Sequence, residues 1–438
     1  MTIHIYELSK LNAEQRSRLL RRAEVAIDEL IEYVRPIVHA VRERRDEALI
    51  EFMERFDHVQ LSPDRLSVSR EEIEAAHEQL DKAVHRAIEQ AVHNVRTFHE
   101  RQMPHEQWFT QVAPGVMAGE KITPISSVGL YVPRGKGAFP SVTYMLAAPA
   151  SIAGVPRIVV STPPAPDGTV DAASLVAADL CGVHEIYRVG GAQAIAALAY
   201  GTASIARVHK ITGPGNLYVS AAKRLLYGTV DVGLPAGPSE SIVLADESAD
   251  PELVARDLLV EAEHGPDSSS LLVTDSRSLL EAVLSLLPDK IKALPEPRQT
   301  FCRSGLESEE GTGGLILTEN IHQAIDFVNE YAPEHLQIHV RDPFALLADL
   351  KNAGEILIGP YTPIPMGNYC LGTNAILPTG GFARTFSCTT VFDFLKRTSI
   401  GYMTAEGYAG LSEVTRQLAE FEGFPAHAGA VTRRPEPR

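Results

Sequence analysis

The chain is predicted to be an α/β protein with two Rossmann-like parallel-sheet domains, a helical N-terminal region and an extended helical C-terminal tail. Short apolar strands alternate with Ala-rich helices twice, over residues 126–226 and again over 241–358. Such alternation is typical of βαβ units on parallel sheets. The 438 residues also exceed the roughly 250–300 at which a single core stops growing, so at least two domains are expected.

The N-terminal quarter is predicted to be helical and charged. Apolar residues recur at three-to-four spacing over 13–34, 37–55 and 70–98, which is the period of an amphipathic helix. Ser69 directly precedes the third segment and is a candidate N-cap. We expect this region to be a scaffold with no chemistry of its own.

The first alternating block contains four predicted strand–helix pairs: 128–133 with 142–153, 157–161 with 172–181, 185–189 with 194–200, and 208–212 with 217–226. Gly-rich loops follow three of these strands, at 133–137, 189–193 and 212–216. Ligands of parallel sheets bind at the carboxyl ends of strands, and glycines let a phosphate approach a helix N-terminus. No loop is GxGxxG with an acidic residue about twenty positions later, so the glycines could instead simply make tight turns.

The second block has four more pairs and a last strand: 241–245 with 251–263, 271–274 with 279–286, 314–317 with 321–331, 337–340 with 344–351, and 355–358 alone. Residues 386–431 are predicted to form helices. A tail of this kind usually packs on another surface, and a partner subunit is a candidate.

Composition excludes several functions. The formal charge of −16 argues against nucleic acid, whose backbone requires clustered Lys and Arg. No run of about 18 apolar residues and no signal peptide are present, so we expect a cytoplasmic protein without a membrane partner. The four cysteines lie far apart and form no CxxC pair, which indicates reduced thiols.

A possible metal site begins with Glu261 and His264. Residues three apart share a helix face, and Gly265-Pro266 ends the helix, so the two side chains could point together as oxygen and nitrogen ligands of zinc. The alternative is a solvated or hydrogen-bonded pair. Further Glu and His side chains occur at Glu334-His335 and at Glu422 with His427. For Glu334-His335 the alternative is a helix C-terminus that meets solvent.

Eight stretches in this order along the chain form a specific pattern: Gly129–Pro133, Gly190–Ile195, Gly213–Asn216, Ala236–Glu240, Ala262–Ser268, Ala332–Leu336, Leu377–Gly380 and Ala426–His427. With them, the sequence resembles the histidinol dehydrogenase family over nearly the whole chain. The resemblance implies a homodimer with two related α/β domains, one zinc per active site and a C-terminal segment that reaches the other subunit. It also implies oxidation of a primary amino alcohol to the acid in two NAD-dependent steps.

The resemblance implies a domain organisation. We expect an N-terminal arm over residues 1–25 and a first, discontinuous α/β domain over 26–127 plus 240–380. The second α/β domain, on the NAD side, would span 128–239. Residues 381–438 would form a C-terminal tail that contacts the partner subunit.

The resemblance also implies roles for individual residues. Glu334 and His335 match the catalytic acid–base pair. The NAD positions are Tyr131, Gln193 and Asn216. The zinc ligands are Glu261, His264, Asn368 and His427, and the substrate positions are these four together with Ser239, His335 and Glu422.

Three positions depart from the family pattern. The family has Gln where this chain has Glu261 and Asp where it has Asn368. The set therefore keeps one anion, one amide and two imidazoles, which favours a retained metal site over decay, although two chance changes remain an alternative. The family usually has His where Ala375 stands. Loss of that imidazole removes a hydrogen-bonding group and opens space, which predicts an altered alcohol substrate.

The leading hypothesis is zinc- and NAD-dependent oxidation of a primary alcohol, with L-histidinol to L-histidine via the aldehyde as the default. One alternative is a family paralogue that oxidises another small amino alcohol or a polar diol. An alternative of another class is a non-catalytic metal-binding paralogue. The expected partners are a small-molecule alcohol and a second copy of the chain in a homodimer with a shared active site.

Overall fold

The structure is a computed structural model that describes residues 3–20, 27–134, 137–307 and 313–432. Several predictions lie partly outside these ranges. They are the N-terminal arm at 1–2 and 21–25, the first predicted helix at 21–26, the Gly-rich loop 133–137 at Gly135 and Lys136, the first α/β domain at 26 and 308–312, and the tail at 433–438.

The described helices are α1 Ala13–Leu20, α2 Ile27–Arg44, α3 Asp46–Phe52, α4 Arg70–Gln79, α5 Lys82–Glu100, α6 Pro140–Ile152, α7 Ala172–Leu180, α8 Gly191–Tyr200, α9 Leu217–Leu226, α10 Pro251–Ala262, α11 Arg277–Ala293, α12 Arg298–Glu307, α13 Ile321–Tyr331, α14 Ile364–Tyr369, α15 Ala405–Phe421 and α16 Pro425–Ala430. The strands are β1 Ile5–Glu7, β2 Gln107–Ala113, β3 Val116–Pro124, β4 Val128–Tyr131, β5 Ile158–Ser161, β6 Glu185–Tyr187, β7 Lys210–Thr212, β8 Glu240–Ala245, β9 Ser269–Thr274, β10 Gly314–Leu317, β11 His335–His339, β12 Glu355–Ile358 and β13 Leu395–Met403.

The first α/β unit is built on a parallel four-stranded sheet in the order β6-β5-β4-β7. Helices cover both faces. Val159 packs with α2, α3, α8 and α9, whereas the next residue, Val160, packs with α4 to α7. Successive residues of a strand point to opposite faces, and a sheet buried on both faces needs apolar side chains in both directions. This requirement explains the continuous apolar strands of the sequence.

The N-terminal helices belong to this unit. Val34, Val38 and Val41 of α2 share a core with α8 and α9, and Val92 and Val95 of α5 share one with α6 and α7. The prediction that groups residues 26–127 with 240–380 therefore does not match the packing. Helical periodicity reveals an apolar stripe, but it does not specify which distant sheet the stripe covers.

The second α/β unit contains a parallel six-stranded sheet in the order β1-β10-β9-β8-β11-β12. Helices α10, α11 and α12 cover one face, and α1 and α13 cover the other. Residues of the predicted N-terminal arm are part of this unit, because β1 pairs with β10 at the sheet edge.

A third, antiparallel sheet has the order β13-β3-β2. The prediction that residues 386–431 are entirely helical is wrong for 395–403, which form β13 along β3. This strand has few apolar residues and depends on a partner almost 280 positions earlier in the chain, so local pattern gives little signal for it. Helices α15 and α16 follow as predicted. None of the helices described is long and apolar enough to cross a bilayer.

Candidate active site

The candidate site begins at the C-terminal end of α10. Asp250 caps the helix by accepting a hydrogen bond from the Glu252 amide, and Pro251 occupies its first turn. At the other end, the buried Glu261 places Oε2 3.5 Å from Nδ1 of His264. The predicted proximity of these two side chains is confirmed. Glu261 Oε2 accepts no hydrogen bond from the described residues, although it is shielded from solvent.

Two side chains from other segments join this pair. Ser239 Oγ lies 3.2 Å from His264 Nδ1, and Nδ2 of Asn368 lies 3.5 Å from Glu261 Oε1. Asn368 is on α14, whose last residue, Tyr369, accepts a hydrogen bond of 2.8 Å from the Tyr144 hydroxyl on α6. Because α6 belongs to the other α/β unit, the site lies near the junction of the two.

Glu334 and His335 lie beside Glu261. Helix α13 ends at Tyr331, its C-cap Ala332 has a left-handed backbone, and His335 opens β11. His335 Nε2 is 3.9 Å from Glu261 Oε1 and 3.9 Å from Glu334 Oε1. Both residues are buried, so the alternative of a helix end in solvent is wrong. We call the following six side chains the Glu261 cluster: Ser239, Glu261, His264, Glu334, His335 and Asn368.

The Glu261 cluster occupies the amino edge of the six-stranded sheet. His335 starts β11, and the amide of Glu240, which starts β8, donates to Glu334 Oε2 at 2.9 Å. This is the edge opposite to the carboxyl ends of strands, where the sequence predicted the ligand-binding loops of the first α/β block. In a βαβ unit the helix runs antiparallel to the strands, so the C-terminus of α10 reaches the amino edge, where β11 begins.

Electrostatics make this site suited to a cation. Burial raises the pKa of Glu334, and the charge of Glu261 adds to this effect, while His335 opposes it. Burial lowers the pKa of His335, but the surrounding carboxylates Glu334, Glu261 and Glu355 outweigh it and the pKa rises. Several acidic groups thus surround one imidazole, and a buried carboxylate needs a compensating charge or donor.

The donors present fit zinc in their chemistry. Glu261, His264 and Asn368 offer carboxylate, imidazole and amide atoms, which are oxygen and nitrogen donors. The buried Oε2 of Glu261, which accepts no hydrogen bond from the described residues, is the atom that a cation would satisfy. Within the ranges described, no three His, Cys, Asp or Glu side chains form a group that could hold a metal ion by themselves.

The fourth predicted zinc ligand is not part of the Glu261 cluster within one chain. His427 is exposed on α16, and its ring is tilted against that of Phe424, with the ring centroids 5.1 Å apart. Glu422 is also exposed, at the end of α15. The hydrogen bonds and ion pairs described for the Glu261 cluster include neither residue. The structure therefore brings together three of the four predicted ligands and leaves His427 on the tail.

The three predicted NAD positions lie at the carboxyl edge of the four-stranded sheet. Tyr131 ends β4, and its hydroxyl accepts a hydrogen bond of 3.1 Å from the Gly191 amide, while burial raises its pKa to about 12. Gln193 is buried in the first turn of α8. Asn216 caps α9 by accepting from the Val219 amide. All three residues therefore lie at the carboxyl edge of the four-stranded sheet, where the sequence predicted that ligands of this sheet would bind.

Sequence reasoning missed a second layer of polar residues behind the cluster. Glu355 Oε1 is 2.6 Å from His335 Nδ1, and Asp257 Oδ2 is 2.9 Å from His339 Nε2. Glu355 opens an otherwise apolar strand, and Asp257 precedes Glu261 by one helical turn. The signal in the sequence was the charged residue at each position. Their partners, His335 and His339, become evident only when the strands are paired.

The chain is similar to proteins of one family over nearly its whole length. The family described as histidinol dehydrogenase matches residues 20–435. A protein of Synechocystis named histidinol dehydrogenase is 50% identical over 430 residues, covering 98% of this chain and 98% of that protein. A Mesorhizobium japonicum protein named histidinol dehydrogenase homolog 2 is 49% identical, covering 98% and 97%.

A solved structure is also similar throughout. The crystal structure of histidinol dehydrogenase from Elizabethkingia anophelis superimposes with a TM-score of 0.91 at 32% identity. The match covers 99% of this chain and 97% of that chain. The agreement extends over both α/β units and the tail, so it concerns the complete architecture.

Proposed function

Because the chain belongs to the histidinol dehydrogenase family, an oxidoreductase family, we propose that it is a zinc- and NAD-dependent enzyme that oxidises a primary alcohol. L-histidinol is the default substrate, converted to L-histidine via the aldehyde. The observation that carries the proposal is that the buried Glu261 contacts both the exposed His264 and the half-buried Asn368 and lies beside the buried Glu334–His335 pair.

Glu261, His264 and Asn368 are the residues that would hold zinc. The contact between Asn368 and Glu261 supports a compensating exchange, because the two positions that differ from the family pattern are neighbours in space. A carboxylate and an amide that swap places keep the charge of the pair. Independent chance changes have no reason to fall on two side chains in contact.

His335 and Glu334 would move protons. His335 Nε2 would accept the proton of the substrate hydroxyl once a bound cation offsets the carboxylate charges that raise the pKa of the ring. When bound, zinc supplies Lewis acidity at the substrate oxygen and NAD supplies the hydride acceptor. In the second oxidation Glu334, buried beside His335, would take a proton from the water that adds to the aldehyde. Each alcohol would then consume one water and two NAD⁺ and yield the carboxylic acid, two NADH and two protons.

The tail supports a site shared between two subunits. Val414, Leu418 and Phe421 are exposed at i, i+4 and i+7 on α15, with Phe421 91% exposed. An apolar helix face left in solvent favours a partner surface. We propose a homodimer in which His427 and Glu422 of each tail complete the site of the other subunit, and His427 would be the fourth zinc ligand.

Subunit mixing tests this arrangement. His264→Ala and His427→Ala should each abolish turnover as homodimers. In a hybrid dimer a shared site would leave one complete site, formed by the unchanged His264 of one subunit and the unchanged His427 of the other. Partial recovery of activity is expected. If each tail serves its own subunit, both sites of the hybrid are damaged and activity stays absent.

The identity of the alcohol is the finer part of the proposal. Relatives of similar identity are named either for the enzyme or as homologs, so family membership alone leaves the substrate open. Ala375 is half-buried, and its amide contacts Met145 Sδ at 3.2 Å. With a methyl group in place of an imidazole there, another small amino alcohol or a polar diol is the second candidate substrate.

Stoichiometry decides among these functions. Zinc-loaded protein is incubated with NAD and a panel of amino alcohols and polar diols, histidinol included, and NADH is counted per alcohol consumed. Two NADH support the four-electron reaction, whereas one indicates that oxidation stops at the aldehyde or ketone. No turnover with any alcohol would favour the non-catalytic metal-binding paralogue. His264→Ala is the metal-free control. His39→Ala, which changes an exposed histidine on α2, is the matched control for the loss of a histidine side chain.

The cytoplasmic location stays a prediction, which cell fractionation would test. We also predict that the chain does not bind nucleic acid, because its formal net charge is negative. A gel-shift measurement at low salt would test it.

A further inference from the structure

Glu355 is a buried carboxylate with no assigned role, and it lies directly beside His335. The two residues open neighbouring parallel strands and are paired in register. Glu355 Oε1 is 2.6 Å from His335 Nδ1, and the two residues are 8% and 3% exposed. A carboxylate removed from water to this extent has a strong preference for a charged or hydrogen-bonded partner.

The carboxylate of Glu355 is held from other sides as well. Thr373 Oγ1 donates to Oε2 at 3.4 Å. A Cβ added at Gly367 would lie 2.9 Å from both carboxylate oxygens, which is closer than side chains tolerate. Gly367 precedes Asn368, so the carboxylate packs between the imidazole and the backbone of the segment that carries the amide of the Glu261 cluster.

These contacts determine which nitrogen of His335 can react. An Nδ1–H that donates to a carboxylate leaves Nε2 as the acceptor of the neutral ring. Nε2 is the atom that faces Glu261 and Glu334, at 3.9 Å from each. A carboxylate behind a histidine also stabilises the positive charge that develops when the ring takes a proton.

We propose that Glu355 is a positioning residue that holds the Nδ1–H of His335 and so presents Nε2 to the substrate hydroxyl. The inference rests on the proposed function. In the oxidation step the hydroxyl proton passes to Nε2, and the carbon-bound hydrogen leaves with its electron pair to the nicotinamide. Glu355 keeps its charge and its hydrogen bond throughout, and it touches neither the alcohol nor the cofactor.

Kinetics of two Glu355 variants test the role. Glu355→Gln keeps the shape but removes the charge, and Glu355→Ala removes the contact. We expect the kcat of Glu355→Gln to fall roughly 10- to 100-fold and that of Glu355→Ala to fall further, with KM and bound zinc unchanged. The matched control is Asp257→Asn, which neutralises the other buried carboxylate bonded to a β11 histidine and should keep the wild-type kcat.

Three outcomes of these measurements would overturn the proposal. The first is a wild-type kcat in Glu355→Gln. The second is an equal fall of kcat in Asp257→Asn, which would indicate a general loss of stability. The third is loss of zinc from the Glu355 variants, which would indicate a role in metal retention.

A spectroscopic readout separates this proposal from the proposed function. In protein labelled with ¹⁵N-histidine, proton NMR should show a low-field Nδ1–H signal that disappears in His335→Gln and in Glu355→Ala. This measurement needs no substrate. If wild-type protein oxidises no alcohol, the function fails while the signal still reports on Glu355. Persistence of the signal in Glu355→Ala would overturn the positioning role.

Discussion

Glu261 and Asn368 are neighbours across the candidate site, with Nδ2 of the amide 3.5 Å from Oε1 of the carboxylate. They come from different parts of the chain, the C-terminal turn of α10 and the short helix α14. Because they are in contact, substitutions at the two positions should depend on each other.

A double-mutant cycle tests this dependence. Glu261→Gln leaves two amides and no anion, so zinc affinity should fall roughly 10-fold or more. Glu261→Gln combined with Asn368→Asp restores one carboxylate and one amide and should recover most of that loss. Chelator competition would measure the affinities, and a coupling energy of about 0.5–3 kcal/mol is expected for residues in contact. Strictly additive effects would contradict the exchange.

His335→Gln should separate catalysis from metal binding. The proposed base would be lost, so kcat should fall roughly 10²- to 10⁴-fold, while bound zinc stays at the wild-type level. His339→Gln provides the control, because His339 lies on the same strand but bonds to Asp257. Loss of zinc in His335→Gln, measured by elemental analysis, would show that the assignment of its role is wrong.

Ala375→His should restore the hydrogen-bonding group that this chain lacks. If the missing imidazole excludes histidinol, its kcat/KM should rise by about 10- to 200-fold, the range of a pocket change worth 1–3 kcal/mol. Ala375→Leu fills space without a polar group and should not show this gain. An unchanged rate with histidinol in the His variant would mean that another position selects the substrate.

Lys223 should make stability depend on pH. Burial lowers its pKa to about 8 in the folded protein, against about 10.4 in an unfolded chain. Between these values the unfolded state binds more protons, so this residue's contribution to folding becomes more favourable as pH rises from 8 to 10.4. Lys223→Met should therefore raise the melting temperature most at or below pH 8, and less at pH 10.

The control for the pH dependence of the Lys223 variant is a substitution of Lys82, which is exposed at the start of α5. Lys82→Met should show no comparable change with pH. Thermal unfolding of the three proteins at several pH values is the measurement. A melting-temperature difference for Lys223→Met that stays constant across pH 8–10 would contradict the burial argument.

Local pattern predicted much of the fold. Helix α9 at 217–226, helix α13 at 321–331 and strand β12 at 355–358 have the predicted bounds, because each has a clear apolar period next to a turn or cap. Pattern failed where pairing is distant. Strand β13 has few apolar residues and depends on β3, and the α2 stripe gave no indication that it packs on α8 and α9.

By itself, the sequence determined the α/β class, the family and the i, i+3 relationship of Glu261 and His264, since these depend on composition, motifs and spacing along one helix. Only the tertiary structure decided that Glu334 and His335 are buried at the amino edge of a sheet, that Glu355 stands behind His335, and that His427 remains on the tail. These relationships join residues from separate strands and helices. Their distances depend on strand register and domain packing, which short-range periodicity does not encode.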